Sequence, residues 1–194
     1  MAAARMPAAQ RRTQLMDVAM RVFSREGYHG ATMADVADAA GVTKPVLYQH
    51  FPSKSDLYRE LLGGISDELA VTVRAAASAV QPGREQLLAG MTAYFEFVRD
   101  HRAEFRLLFG SGAQTIDEFA GAARDVEKSM SAAVADMIGP DIARGDATRL
   151  AHAVVGMAEA ACRHWLATEP DRAPSEIARQ MTDVLWHGLG SADR

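Results

Sequence analysis

Thr43, Lys44, Tyr48 and Gln49 lie within one seven-residue stretch, His50 follows directly after it, and Lys54 comes four residues later. On a helix beginning at Thr43, Lys44, Tyr48 and Gln49 fall on the outward side while Leu47 points in. Amides and ammonium groups hydrogen-bond base edges, phenols and hydroxyls hold phosphates, and helix N-termini attract anions. The composition suits the major groove of DNA. Other chemistries find no comparable cluster. The chain lacks a Gly-rich phosphate loop, a His-Glu-x-x-His pair, a Cys-x-x-Cys and a Gly-x-Ser-x-Gly elbow. His152 and His164 are twelve residues apart, about 120° on a helical wheel, which separates them as metal ligands. Cys162 is the lone cysteine; it cannot close an internal disulfide and reads as a small buried hydrophobe. No enzyme activity, metal or cofactor is expected.

The elements that must carry such a cluster are helices. Few β-branched runs alternate, whereas Ala, Leu, Met, Glu and Arg recur with a period near 3.6, so the fold class is all-α with about nine helices. Gly and Pro punctuation places them at about 8–26, 33–41, 44–50, 54–79, 84–101, 102–109, 114–138, 146–168 and 174–189. Thr32-Met33-Ala34-Asp35 and Ser53-Lys54-Ser55-Asp56 read as capping boxes, Thr43 as an N-cap, and Pro45 sits where its missing N–H costs little. Ala37, Gly41, Val42 and Leu47 follow the demands of a helix-turn-helix: a small residue at the crossing, a turn tolerant of positive φ, and apolar inner faces. An ordinary αα-hairpin meets the same spacing.

The run from Thr32-Met33 through Gly41-Val42, then Leu47-Tyr48-x-His50-Phe51-x-x-Lys54 and Leu57, resembles the DNA-binding domain of the TetR family of bacterial transcriptional regulators. The likeness covers about residues 11–62. It implies an N-terminal three-helix DNA-binding domain, residues 1–54, and a C-terminal helical ligand-binding and dimerisation domain, residues 55–194. It further implies that Thr32 caps the second helix and touches a phosphate, that Thr43, Lys44, Pro45 and Gln49 face bases, and that Tyr48, His50 and Lys54 grip the DNA backbone. For His50, packing beside Phe51 is an equal reading. Arg5, Arg11 and Arg12 form a basic arm, with a solvated tail as the alternative.

Charge follows the same division. The net charge is −4 over 194 residues, with residues 1–54 at +3 and the remainder at −7. No long apolar run marks a membrane span, and MAAARMPAAQRR lacks the apolar segment of a secretory signal, so the chain reads as cytoplasmic.

On 146–168 the apolar arc covers about half the circumference, wider than the ~100° that one core requires. The small or compact residues Ala151, Val155, Ala158 and Cys162, together with Met181 and Leu185 of the last helix, are therefore assigned to a homodimer interface. A thick monomer core is the alternative. Met91, Tyr94, Phe95, Phe105, Phe109, Phe119, Met130 and Met157 are assigned collectively to a pocket for a small apolar or amphipathic effector, although each taken singly reads as core before pocket. The expected activity is repression of transcription from a palindromic double-stranded DNA operator, relieved by that effector. A DNA-binding architectural protein without a ligand, or a helical enzyme or carrier, are the alternatives.

Overall fold

The computed structural model describes residues 6–109, 128, 130–135 and 144–189. Among these, eight helices have defined bounds: α1 (Ala8–Gly30), α2 (Met33–Ala39), α3 (Lys44–His50), α4 (Lys54–Ser78), α5 (Arg84–Asp100), α6 (Arg102–Phe109), α7 (Arg144–Thr168) and α8 (Pro174–Leu189). Residues 130–135 are helical as well, and no described residue is in a strand. The rest of the helix expected at 114–138 lies outside the described residues. So does Phe119. The fold of the described residues is all-helical, with a helix-turn-helix near the N-terminus formed by α2 and α3 and further helices toward the C-terminus.

The chain divides into two compact units, Met1–Gly64 with Ala103–Ala123, and Ile65–Arg102 with Arg124–Arg194. In the first unit, α1 buries Leu15, Val18, Ala19, Val22 and Phe23 along one stripe, the repeat that an amphipathic helix makes when it meets one core. The helix outlasts the expected end near residue 26. Gly27 leaves the helical region (φ 70°, ψ 171°) and a last turn follows to Gly30. Ala37, fully buried, gives α2 and α3 room to cross. Gly41 takes φ 65° in the turn between them, a conformation that costs little only without a Cβ. A Cβ there would meet no atom within 4 Å, so backbone conformation and not space demands glycine.

In the second unit, α5 packs along α8. Gly90 lets α5 approach α4: a Cβ on it would lie 3.6 Å from Val73 and 3.7 Å from Ala77. Arg84 and Asp183 pair at 2.5 Å between α5 and α8. Phe95 meets Trp165 of α7 edge to face, with ring centroids 6.0 Å apart. The Trp165 indole N–H donates to the Arg172 carbonyl at 3.1 Å, tying the end of α7 to the turn before α8.

Candidate nucleic-acid interface

α2 begins on a complete capping box. The Thr32 hydroxyl accepts from Asp35 N–H at 3.2 Å, the Asp35 carboxylate accepts from Thr32 N–H at 2.8 Å, and the hydroxyl also donates to that carboxylate at 2.6 Å. These bonds, first of all the one from the Thr32 side chain, hold the Asp35 pKa below the ordinary carboxylate value. At α4, Ser53 and Asp56 make the corresponding pair: the amide of Asp56 donates to Ser53 Oγ at 3.0 Å, and that hydroxyl donates to the carboxylate at 2.7 Å. α3 departs from expectation at its start. Thr43 occupies the N-cap position with extended backbone but makes no side-chain capping bond, while Pro45 sits in the first turn.

α3 is anchored by Leu47, fully buried, and by Phe51 just beyond its end. Thr43, Lys44, Pro45, Tyr48 and Gln49 are all exposed, Tyr48 at 48%. None of their side chains makes a hydrogen bond or ion pair among the described residues. A seven-residue helix thus presents an ammonium, an amide, a phenol and a hydroxyl to solvent on a rigid support. That is the arrangement required for reading base edges and holding phosphates.

The remaining expected contacts turn inward. Lys54 donates from Nζ to the carbonyls of Tyr28 (2.8 Å) and Ala31 (2.9 Å), with the ammonium 4.2 Å from the Tyr28 ring centroid. The His50 ring is half-buried, 6.4 Å from the Phe51 ring, and the His50 carbonyl accepts from Arg12 Nη1 at 2.7 Å. Arg12 belongs to α1 and not to a free arm. It pairs with Glu60 through Nε at 3.0 Å and through Nη2, and its guanidinium lies 4.3 Å over Phe51. Sequence reasoning missed this use of Arg12, whose partner is 48 residues away.

The unit also contains Tyr58, whose hydroxyl donates to the Leu107 carbonyl of α6 at 3.3 Å. Burial, helped by Tyr28, pushes its pKa up to about 12. An open groove of about 330 Å³ between α1 and α6 is lined by Met20, Arg21, Ser24, Arg25, Ala103, Glu104 and Arg106. None of the residues assigned to an effector lines it.

In the second unit the assigned interface stripe is interior. Ala151 and Cys162 are fully buried, and Val155 and Ala158 retain at most a few per cent exposure. Met181 and Leu185 are half-buried. Ala151, Val155, Ala158 and Cys162 are covered within one chain, which leaves those four residues little surface for a second copy. The exposed side of α7 carries Ala153, Gly156 and Ala160 at helical spacing, and α8 exposes Val184 at 61%.

Of the assigned effector residues, Met91, Tyr94, Phe95, Phe105 and Met130 are buried and Met157 is half-buried. Phe105 belongs to the first unit and the other five to the second. The side chain of Phe109 lies outside the described residues. The Tyr94 hydroxyl is buried without a nitrogen or oxygen partner among the described residues, as is Ser66 Oγ. The Cys162 thiol lies beside the Tyr94 hydroxyl, and burial raises the pKa of both groups. Among the described residues no cluster of His, Cys, Asp and Glu could hold a metal, and no helix is long and apolar enough to cross a membrane.

Residues 15–61 match the family model for bacterial regulatory proteins of the tetR family, and residues 83–188 match the tetracyclin repressor-like C-terminal domain. The chain is 33% identical over 187 residues to the HTH-type transcriptional activator FasR of Mycolicibacterium smegmatis, covering 95% of this chain and 85% of that one. It is 36% identical over 88 residues to the HTH-type transcriptional repressor KstR2 of Rhodococcus jostii, covering 45% and 43% of the two chains. Among solved structures, a TetR-like regulator from Rhodococcus sp. RHA1 superimposes with a TM-score of 0.75 at 28% identity, covering 96% and 99%. FadR from Bacillus subtilis in complex with stearoyl-CoA gives 0.76 at 14% identity, covering 91% and 98%, a likeness of fold alone.

Proposed function

The chain belongs to the TetR family of bacterial regulatory proteins and is a transcriptional regulator, and from that premise we propose that it binds a palindromic operator as a homodimer and changes its affinity for that operator when a small apolar or amphipathic molecule binds. The observation that carries the reading is the outward side of α3, where Lys44, Tyr48 and Gln49 stand exposed and unpaired among the described residues while Leu47 fixes the helix from below. Residues 1–54 supply the reading domain and 55–194 the effector and dimerisation domain. Two reading helices fit one palindrome when their half-sites are about 34 Å apart or a multiple of it. The proposed contact between subunits is the exposed side of α7, Ala153, Gly156 and Ala160, with Val184 of α8. Small side chains there allow helices to approach closely.

Two observations support an effector. Met91, Phe95 and Met130 are each buried in the second unit, and the buried Tyr94 hydroxyl has the Cys162 thiol beside it but no nitrogen or oxygen partner among the described residues. Buried polar groups ordinarily find a partner, and a ligand's polar end would supply one. A similar fold holds stearoyl-CoA in the Bacillus subtilis protein, which supports an amphipathic acyl compound as the class to test first. Release from the operator, with repression relieved, is the primary reading. Activation is the second, favoured by the activator that aligns along 95% of this chain.

The test begins with operator DNA selected from a random library using wild-type protein. Fluorescence anisotropy then measures affinity against salt, with and without a series of acyl compounds. A steep salt dependence on one palindrome, and an affinity shift with some acyl compound but not with its polar headgroup alone, is the expected outcome. Failure to enrich any sequence would reject the DNA-reading assignment.

A further inference from the structure

We infer that Lys54 and Arg12 serve operator reading through contacts within the protein, as positioning residues, Lys54 tying the end of α1 to the foot of α4 and Arg12 tying the end of α3 to α1 and α4, and not as cations presented to DNA phosphates. The inference rests on the assignment of α3 to DNA.

Lys54 is the first residue of α4, a place where a cation opposes the helix dipole. Its surroundings explain the choice. After the break at Gly27, the carbonyls of Tyr28 and Ala31 have left the regular helical ladder of α1, and carbonyls at a helix end need outside donors. Lys54 Nζ donates to both, at 2.8 and 2.9 Å, and rests 4.2 Å from the Tyr28 ring centroid. Two of its three N–H donors are thereby engaged. The Tyr28 ring is itself fixed, 5.0 Å from the ring of Tyr58, which stands one turn above Lys54 on α4. The ammonium is thus a rivet between the end of α1 and the foot of α4.

Arg12 does the corresponding work at the C-terminal end of α3. His50 is the last residue of α3, and its carbonyl accepts from Arg12 Nη1 at 2.7 Å. The same guanidinium lies over Phe51, the α3 C-cap, and forks onto Glu60 of α4. A cation at a helix C-terminus is favourable. α3 has seven residues, too few to persist on local bonds alone, so its placement depends on such tertiary ties. Hydrogen bonds to base edges weaken steeply with misalignment, whereas attraction between a cation and a phosphate tolerates it. Loosening α3 should therefore cost specific binding and spare non-specific binding.

The experiment uses Lys54→Met and Arg12→Met in the full-length chain, with Kd measured on the selected operator and on scrambled DNA across a range of NaCl. Each variant should lose at least tenfold on the operator, stay within about twofold of wild type on scrambled DNA, and keep the wild-type salt slope. A phosphate contact gives the opposite pattern: equal losses on both DNAs and a slope smaller by about 0.9. That result would overturn the inference. Tyr28→Leu guards against a misfolded Lys54 variant, because it keeps the cation and removes the ring beneath it. It should weaken operator binding with an unchanged slope, and unaltered operator binding would overturn the role of Lys54. Arg12→Lys retains charge but lacks the fork; it should reproduce the operator loss of Arg12→Met, and full rescue would overturn the role of Arg12. Wild-type protein that binds no DNA would overturn both this inference and the reading of α3.

Discussion

α3 and α7 each carry a face that a helical wheel marks as special, and the two faces have opposite fates. On α3 the marked residues are polar and remain exposed, while a single leucine is buried. On α7 the marked residues, Ala151, Val155, Ala158 and Cys162, are apolar and vanish into the chain's own core. The difference lies in how many uses a side chain has. An exposed amide or ammonium on a short helix does nothing for the core, so its presence points outward. An apolar side chain serves a core and an interface equally well, and its periodicity cannot say which. The interface proposed above therefore falls on what the core leaves over: Ala153, Gly156 and Ala160 on α7 and Val184 on α8, all exposed.

The sharpest way to break this contrast is an arginine scan of α7. Ala158→Arg buries a charge with no partner and should destabilise the fold by about 3–5 kcal/mol, seen as a collapse of thermal stability. Ala160→Arg, on the exposed side, should leave the melting temperature within a few degrees and yield monomers by sedimentation, with operator affinity down at least a hundredfold. A folded, monomeric Ala158→Arg protein would return the interface to the stripe first assigned to it. On α3, Gln49→Ala should relax preference at one base pair, costing about 1–3 kcal/mol there, and a library reselected with the variant shows whether that position has lost its bias.

α4 offers a smaller effect of opposite sign. Gly63 and Gly64 lie in the helix interior, and a Cβ on either would meet no atom within 4 Å. Replacing both with Ala should stabilise the chain by about 1 kcal/mol per residue, measurable by urea titration. The boundary between the two compact units falls directly after Gly64, so the same variant should blunt the effector's influence on operator affinity. An induction curve that overlays the wild type's would show that these glycines do not transmit it.

The smallest effect is at the α2 cap. Thr32→Ala should cost about 1 kcal/mol. The Asp35 carboxyl has its pKa lowered in the folded chain, so its contribution to stability is complete above the unfolded pKa and is lost as pH falls through the lower folded value. Melting temperatures recorded down through that acid range should converge for wild type and Thr32→Ala.

What the sequence disclosed and what it withheld follow from range. The α2 cap, the turn at Gly41 and the bounds of α3 are set by residues at most a few positions apart, and all three are legible in Thr32-Met33-Ala34-Asp35, Gly41 and Thr43-Lys44-Pro45. The partners of Arg12 and Lys54 were not legible. Glu60 is 48 residues from Arg12, and the carbonyls that hold Lys54 lie 26 and 23 residues before it. A carbonyl group is common to every residue, so no side-chain pattern announces it. Lys54 in the first turn of a helix was the available signal, since that is where the dipole disfavours it. The fate of Ala158 was hidden for another reason: α7 meets partners on more than one side, and a wheel reports apolarity without naming the neighbour.

Arg12 and Lys54 are two of the seven lysines and arginines in residues 1–54, and both are occupied within the fold. A regulator searching a chromosome competes against about 10⁶–10⁹ random sites for every true one, and each cation free to displace counterions lengthens its stay at all of them. On the inference drawn above from their contacts, withholding two cations from that interaction shortens each fruitless encounter. The search can then proceed by brief visits, with more of the protein left in solution to respond when an operator becomes vacant.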